Sequence, residues 1–402
     1  MSKLYNTQGD IVKNLSHFFR NLTHFSKPNI KNISYILTAI LSSESSNYSD
    51  IAKKDQSKAL YNSVIKRIYR FLNKKSFNIN HFYNLFIKYI IKHYNIRQRE
   101  NKIRIIFDNV FILKKYSVLV FSLSIGRTSI PLWFKSFKLH NCLKGNKKLI
   151  KEDGYVTDDY QSHQHVKEGI DFCKSLFEGR KIDLIYLGDR AFFSIKTFKY
   201  LDKIKVKYYI RVKADAIFCS KVYKPDNRTC YKRLRDIPVN LHHSKYFKNI
   251  YLTKQNYRCN LAVSRTIILE KGIEIEDIWF IATNSNPRKG IREYSFRFGG
   301  IETIFKNMKT NGFYLEETGI KNLHAFNTLF GIICMALTWM VIIGSDLTKN
   351  KKNKLIGATK KVKGRIIRVM SLFNAGLIWF HKCLYSTIPL YKLKYSFILY
   401  DI

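Results

Sequence analysis

The stretch Ile103-Arg-Ile-Ile-Phe-Asp108 marks the point where the helical pattern of the first hundred residues gives way to strands. It is a short apolar run that ends in an acid, which is typical of a buried strand followed by a turn. Two more such runs follow, Tyr116 to Ser124 and Ser129 to Phe134. Three strands in succession indicate an antiparallel meander.

The pattern then alternates between helix and strand. A helix is predicted from about Ser162 to Glu178, and a buried strand from Ile182 to Leu187 that ends at Gly188-Asp189-Arg190. Phe192 to Leu201 is predicted to be helical, and Val206 to Val212 to be another strand. A mixed sheet flanked by helices satisfies this order, so the predicted fold class is α/β.

The flanking regions differ in composition and pattern. Residues 1–100 show apolar positions at helical spacing, and residues 214–285 show short β-rich runs divided by polar turns. The prediction is a helical N-terminal module (1–100), a core (101–213 and 286–345), a β-rich insertion subdomain (214–285) and a basic helical C-terminal region (346–402). A final helical tail is predicted from Ile366 to Ser386.

The formal net charge is +42, from 71 Lys and Arg against 29 Asp and Glu. Such a field attracts polyanions, of which nucleic acid is the commonest, with an acidic membrane surface as the alternative. Part of the excess is compositional, since Lys, Asn, Ile and Tyr are abundant throughout. In the helix Ser63–Asn73, Arg67 and Arg70 lie off the apolar face, as on a DNA-contacting helix. The alternative is an ordinary surface helix with solvated charges.

Two further features bear on where the protein resides. The seven cysteines lie far apart without C-x-x-C spacing, which indicates free thiols in a reducing cytosol. The first thirty residues show no secretory segment, so a cytoplasmic location is predicted. The 19 residues from Phe326 to Gly344 are long and apolar enough for a membrane span, but a single such segment in so charged a chain favours a core helix.

Three carboxylates suggest metal chemistry on phosphates. Asp108 and Asp189 each end a predicted strand, and those strands can be neighbours in the sheet. Adjacent carboxylates repel unless a cation lies between them, and oxygen ligands in a basic protein indicate Mg²⁺ or Mn²⁺. On a predicted helix further along, Glu302 shares a face with Lys306 and Lys309. Each acid taken alone is more simply a turn or cap residue.

These residues resemble a known family. Asp108, the run Asp189-Arg-Ala-Phe-Phe193, Tyr294-x-x-Arg297 and Glu302-x6-Lys309 are similar to the insertion-sequence DDE transposases with a Y-R-E-K signature. The resemblance covers roughly residues 100 to 385 and continues into Asn311 to Ile320. It implies an RNase H-like fold with a β-strand insertion, and a buried rather than membrane-spanning apolar helix.

The resemblance also implies an activity. It makes Asp108, Asp189 and Glu302 the ligands of two Mg²⁺ or Mn²⁺ ions, and makes Tyr294 and Arg297 phosphate contacts. Lys309 and its neighbour Lys306 join that set of contacts. The expected partners are the inverted repeats at the transposon ends and target DNA, bound by a homodimer in the bacterial cytoplasm near the nucleoid. A nuclease without strand transfer, an inactive DNA-binding descendant and a membrane protein are the alternatives.

Two residues beside the signature have open roles, and one spacing departs from the family. Arg190 is predicted either to contact DNA or to pair with a nearby acid. Trp279 is predicted either to stack on a flipped base or to be buried in its strand. Four residues separate Arg297 from Glu302 where the family has three, which on a continuous helix would turn Arg297 about 100° further away. A π-bulge, or a helix that starts at Gly300, would absorb the difference.

Overall fold

A computed structural model describes residues 7–97, 101–125, 128–141, 155–157, 163–220, 231–270, 273–310 and 312–349, and from there to the C-terminus residues 357, 359–362, 365–368, 370–384, 386 and 397–400. The chain forms two compact units. Unit 1 comprises Met1–Arg99, Asn109–Tyr160 and Gly300–Ile402, and unit 2 comprises Glu100–Asp108 and Gln161–Gly299. Two of the seven cysteines, Cys142 and Cys230, lie outside the described residues, and the predicted basic region from residue 346 onward is described only in part.

The elements are numbered in chain order. The helices are α1 (Gln8–Leu22), α2 (Lys27–Ser43), α3 (Tyr48–Lys53), α4 (Tyr61–Leu72), α5 (Ile79–His93), α6 (His163–Ser175), α7 (Ile195–Lys203), α8 (Gly290–Ser295), α9 (Ile301–Lys309), α10 (Leu323–Lys349) and α11 (Leu372–Cys383). The strands are β1 (Tyr94–Arg97), β2 (Lys102–Ile112), β3 (Tyr116–Ile125), β4 (Thr128–Asn141), β5 (Tyr155–Thr157), β6 (Asp183–Gly188), β7 (Lys207–Arg211), β8 (Ile217–Cys219), β9 (Lys232–Arg233), β10 (Ser244–Leu252), β11 (Tyr257–Glu270), β12 (Ile273–Thr283), β13 (Thr359–Val362), β14 (Arg365–Arg368) and β15 (Phe397–Tyr400).

Unit 1 combines the N-terminal helices with a sheet ordered β5-β4-β3-β2, in which β3 and β4 pair antiparallel. Strand β2 enters this unit through Asn109–Ile112, and the turn at Leu113 and Lys114, both with positive φ, leads into β3. All ten residues of β3 are buried, which explains why the strand contains no charged residue. The predicted meander is therefore present.

Helix α10 is the core element of unit 1. It packs against α2, α4, α5, α11 and β4. By length and composition Leu323–Thr348 would suffice to cross a membrane, but 94% of its apolar window is buried inside the protein. A helix that is apolar on all sides is buried either in lipid or in a large core, and here the surrounding helices supply the cover.

Unit 2 contains the strand order β2-β6-β7-β12-β11-β10-β8-β9, with β2 entering through Lys102–Asp108. Strands β2, β6 and β7 run parallel, and the long pair β11 and β12 is antiparallel. Tyr186 on β6 is fully buried and its hydroxyl donates to the carbonyl of Ile170 in α6, which fixes that helix to the sheet. The predicted α/β class, with a mixed sheet flanked by helices and a β-rich region after β7, is confirmed.

Some predicted elements differ from the observed ones. Helix α3 falls in a stretch for which no helix is predicted. In the predicted helical region after residue 346, α10 ends at Lys349, and β13 and β14 form an antiparallel pair before α11 begins at Leu372. The predicted domain boundaries remain predictions; in the structure, the N-terminal helices pack on α10 within one unit.

Candidate active site

The parallel strands β2 and β6 bring two acids together in unit 2. Phe107 and Gly188 are partners in the register of this pair, so Asp108 and Asp189 follow at the same edge of the sheet. Both side chains are partly accessible, Asp108 at 17% and Asp189 at 27%. The expectation that these two strands are neighbours is confirmed. The expectation that Asp108 ends its strand is wrong, because β2 continues to Ile112 and only its pairing with β6 ends at Phe107.

The buried guanidinium of Arg297 is shared by the two acids. Its Nη2 donates to Oδ2 of Asp108 and lies 3.8 Å from Oδ2 of Asp189. Two carboxylates at one sheet edge repel each other, and a cation within ion-pair distance of both lowers that cost. Arg297 therefore compensates the charge of both strand ends.

Tyr294 lies one helical turn before Arg297 and contacts the second acid. Its side chain is fully buried and its hydroxyl donates to Oδ1 of Asp189 at 3.2 Å. Burial raises the pKa of Tyr294 well above that of free tyrosine, and the neighbouring Asp189 charge raises it further, although Arg297 lowers it. The hydroxyl therefore keeps its proton and remains a donor to the carboxylate.

Three aromatic rings form one side of this site. The indole of Trp279 stacks on Phe298, with ring centres 5.1 Å apart and planes 10° from parallel. It also meets Tyr294 edge to face at 5.3 Å. The indole N–H of Trp279 donates to Asp277, which pairs with Arg211 at 2.7 Å. One face of Trp279 thus packs on Phe298, and the flipped-base role stays a prediction.

A buried ion pair that was not predicted from the sequence lies behind the site. Arg104 on β2 donates from Nε to Glu293 at 2.7 Å, and both residues are buried. The guanidinium also lies 4.0 Å from the centre of the Phe296 ring. The pair fixes α8 against β2, and α8 presents Tyr294. Two features of the sequence could have indicated this ion pair: the charged Arg104 inside an apolar strand, and the acid directly before Tyr294.

The signature is not carried on one continuous helix. Helix α8 ends at Ser295, Gly299 has a φ of +80°, and Gly300 is the N-cap residue of α9. Glycine adopts such a positive φ without the steric penalty of a side chain. Of the two ways to absorb the extra residue, the structure shows a helix that starts after Gly300 rather than a π-bulge.

The remaining signature residues lie on α9 in unit 1. Glu302 is exposed in the first turn, where a carboxylate is favoured by the helix dipole. Lys306 is exposed one turn later, on the same face. Lys309 lies 3.1 Å from the carboxylate of Glu316, so its ammonium group already has an acidic neighbour.

The other predicted contact residues have contrasting surroundings. Arg190 begins the short 3₁₀ turn after Asp189, is exposed, and has no carboxylate within ion-pair distance in the described part of the chain. In α4, Arg70 is exposed. Arg67 instead pairs with Asp55 and lies over the ring of Tyr35 at 4.9 Å, so it is engaged within the N-terminal helices.

The donor set of the strand ends suits a hard divalent cation. Asp108 and Asp189 place their carboxylate oxygens close together, and the Arg297 guanidinium compensates the negative charge of both. Among the residues that the structure describes, no group of three or more His, Cys, Asp or Glu side chains is placed to hold a metal ion. The two aspartates supply carboxylate oxygens of the kind that a divalent cation takes, and the metal site itself stays a prediction.

Comparison with known proteins identifies the family. The family model described as transposase DDE domain matches residues 126–339, which include Asp189 and Glu302 and begin after Asp108. Among solved structures, the protein is similar to the piggyBac transposase in a cryo-EM synaptic complex with hairpin DNA. The sequences are 13% identical, the TM-score is 0.44, and the similarity covers 95% of this chain and 80% of that one. A search of curated proteins found no match. Since the family model spans more than half of its residues, the chain belongs to the transposase DDE domain family.

Proposed function

We propose that the protein is a DNA transposase that cuts at the ends of its element and transfers the freed 3′-hydroxyl to target DNA. Asp108, Asp189 and Glu302 are the proposed ligands of the catalytic Mg²⁺ or Mn²⁺ ions. The family assignment supports a transposase. The observation that carries the chemistry is the pair Asp108 and Asp189, which share one cationic side chain at the point where the parallel pairing of β2 and β6 ends.

Asp108 and Asp189 are suited to binding a catalytic cation because the paired strands hold their backbone in place. Buried residues on β2 and β6 precede both aspartates, and the register fixes their spacing. The hydroxyl of Tyr294 orients one carboxylate and Arg297 orients the other. A divalent cation bound by these oxygens would activate the attacking water or 3′-hydroxyl and stabilise the leaving oxygen. The chain's own contribution is thus a pair of preorganised oxygen ligands.

The neighbouring cations suit a phosphate backbone. Arg190 is exposed directly after Asp189, and Arg297 lies between the acids. The exposed Arg190 is a proposed DNA contact because guanidinium groups bind phosphate oxygens in a bidentate fork. Arg297 stays in the proposed contact set, although its guanidinium is buried and is engaged by Asp108 and Asp189. Lys306 and Lys309 on α9 and Arg70 on α4 extend the proposed contact set, and the charge of +42 favours a polyanionic partner in general.

The wider setting follows from the same proposal. The β2-to-β4 meander, followed along the chain by β6 and β7, which extend the sheet parallel to β2, supports the RNase H-like fold that the family resemblance implies. Two transposon ends must be brought together, for which a homodimer is the simplest arrangement. A cytoplasmic location beside the nucleoid is part of the proposal, because target DNA is found there.

A cleavage and strand-transfer assay tests the function. Purified full-length protein is incubated with Mg²⁺, labelled DNA that carries the terminal inverted repeats of the element, and a target plasmid. Wild-type protein should cut at the ends and join them to the target, and Asp189→Ala should abolish both steps. The matched control is Asp183→Ala, which removes an acid at the opposite end of β6 that pairs with Lys207. That variant should retain activity.

The possible results separate the alternatives. Cleavage that survives Asp189→Ala would remove this residue from the catalytic site. Cleavage without joining by the wild type would identify a nuclease of the same fold. Specific binding of the inverted repeats without cleavage would identify an inactive descendant of a transposase.

A further inference from the structure

Two different sets of contacts are required of Arg297. In the structure, its guanidinium donates to Oδ2 of Asp108 and lies 3.8 Å from Oδ2 of Asp189, and its side chain is only 9% exposed. The proposed function needs the same carboxylate oxygens for a divalent cation and the same guanidinium for a DNA phosphate. A guanidinium and a metal ion on one carboxylate oxygen repel each other, because both are cations. The observed contacts and the required ones are therefore alternatives.

The charges of these groups favour joint binding of metal and DNA. The two carboxylates and the one guanidinium have a net charge of −1. A divalent cation alone would change this net charge to +1, and a DNA phosphate alone would change it to −2. With both present the net charge is zero, because the two added charges compensate those of the protein groups and of each other. Electrostatics thus makes the binding of each ligand easier once the other is bound.

The exchange between the two arrangements needs the movement of only one side chain. The link from α8 to α9 is held in place by hydrogen bonds from the backbone N–H groups of Phe296, Arg297 and Phe298 to carbonyls three residues earlier. The side chain of Arg297 has several rotatable bonds, and the ring centre of Phe298 lies 5.6 Å from its guanidinium carbon. Phe298 is 39% exposed, so the buried guanidinium lies close to the accessible surface. A change of rotamer would therefore bring it to a bound phosphate.

We propose that Arg297 couples metal binding to DNA binding. In the DNA-free protein its guanidinium compensates the two acids and competes with a divalent cation for their oxygens. When DNA binds, one phosphate takes over the guanidinium, and the carboxylate oxygens become available to the metal ion. Arg190, which is exposed directly after Asp189, holds the arriving phosphate close to the acids. The inference rests on the proposed function and adds to it that the protein acquires its catalytic cation on DNA.

Titration of the full-length protein with Mn²⁺, followed by electron paramagnetic resonance, tests the competition without any reaction. In the absence of DNA, Arg297→Gln should bind Mn²⁺ about tenfold or more tightly than the wild type, because a competing cation is removed. The matched control is Arg235→Gln, which removes an exposed arginine that lies 2.9 Å from Asp215 in the same unit. It should bind Mn²⁺ like the wild type. Addition of Asp189→Asn to Arg297→Gln should abolish the gain, and circular dichroism should show every variant folded.

A second titration, in the presence of a DNA duplex that carries the terminal inverted repeat, measures the coupling in the wild type itself. The duplex should tighten Mn²⁺ binding by the wild type about tenfold or more, and that by Arg297→Gln much less. The complex of Asp189→Asn with the same duplex corrects for Mn²⁺ that the DNA binds on its own. Coupling is reciprocal, so Mg²⁺ should also raise the DNA affinity of the wild type more than that of Arg297→Gln.

The outcomes separate this inference from the function on which it rests. If the DNA-free wild type binds Mn²⁺ as tightly as Arg297→Gln, the coupling is overturned and the proposed metal ligands stand. Equal gains on DNA for the wild type and Arg297→Gln would overturn it as well. If no protein binds Mn²⁺ in a way that depends on Asp189, with or without DNA, then the proposed metal ligands are wrong and the coupling is overturned with them.

Discussion

The ring of Phe107 occupies the space that a side chain at Gly188 would need. The two residues face each other in the register of β2 and β6, and a Cβ at Gly188 would lie 2.5 Å from the ring atom Cζ of Phe107. The same ring packs edge to face on Phe192, with centres 4.8 Å apart. The glycine directly before Asp189 is therefore required by the packing between the two strand ends.

Gly188→Ala should destabilise the protein by about 1–3 kcal/mol, because the strands must separate or Phe107 must leave its position. Urea unfolding measures the loss. The double variant Phe107→Leu and Gly188→Ala should lose less than the sum of the two single changes, because the smaller side chain relieves the contact. If the two losses of stability are additive, the contact between these two positions is not the cause of the destabilisation by Gly188→Ala.

Arg297→Gln should lower the melting temperature in the presence of EDTA. Removal of the guanidinium leaves Asp108 and Asp189 without their shared cation, at a cost of about 1–3 kcal/mol given their partial exposure. Addition of Mg²⁺ should raise the melting temperature of the variant more than that of the wild type. Equal shifts in a thermal denaturation series would argue against a cation position between these acids.

Tyr294→Phe should keep the fold and slow DNA cleavage. The ring still packs against Trp279, but Asp189 loses a donor, which at about 1.5 kcal/mol corresponds to a roughly tenfold lower rate. Tyr200→Phe is the control, since it removes a Tyr–Asp hydrogen bond to Asp171 elsewhere in the same unit. Single-turnover rates that are equal for both variants would contradict a role for the Tyr294 hydroxyl.

Gly376→Ala should destabilise unit 1 by about 1–3 kcal/mol or more, because overpacking forces helices apart. A Cβ at Gly376 would lie 2.0 Å from the carbonyl oxygen of Met340, at the crossing of α11 with α10. Gly9→Ala is the control, since its nearest neighbouring atom is 3.5 Å away. Chemical denaturation of both variants measures the difference, and equal stabilities would exclude a close crossing of the two helices.

Acid should weaken the N-terminal helices through Asp55. Burial, the largest single contribution, raises the pKa of Asp55, but hydrogen bonds from Ser57 and Arg67 together hold that pKa below the usual value. A lowered pKa in the folded state means that the stabilisation is present above the ordinary Asp pKa of about 3.9 and is lost as the pH falls through the lower folded value. Asp55→Asn should therefore flatten the dependence of melting temperature on pH between about pH 5 and 2. An unchanged profile would show that other carboxylates control it.

The sequence predicted the central strands because their signals are local. The runs that became β2, β3 and β6 are largely apolar, and Asp189 follows β6 as the pattern predicts. The end of β2 was predicted too early, since the strand continues past Asp108 to Ile112. The relation of Arg297 to those acids was not predictable in the same way. It depends on how α8 packs on a sheet formed by residues far away in the chain, and the buried pair of Arg104 and Glu293 that holds this helix spans 189 residues.

The strands β13 and β14 were not predicted because their sequence carries no local strand signal. Half of their eight residues are basic and the apolar ones do not alternate with them, so the region lacks the alternation of apolar and polar side chains that indicates a strand. The dipeptide Lys363-Gly364 between them was the only turn signal. Helix α3 was missed because six residues provide fewer than two turns of periodicity.

The division of the chain has a consequence for its synthesis. Unit 2 is complete once residue 299 has left the ribosome, whereas the N-terminal helices pack on α10, which is made only afterwards. Domains fold as units while the chain emerges, so the strand ends that carry Asp108 and Asp189 can form before unit 1 closes. Until α10 has been made, the apolar faces of the N-terminal helices that pack on it remain exposed. A chain truncated before α10 should therefore require chaperones or aggregate.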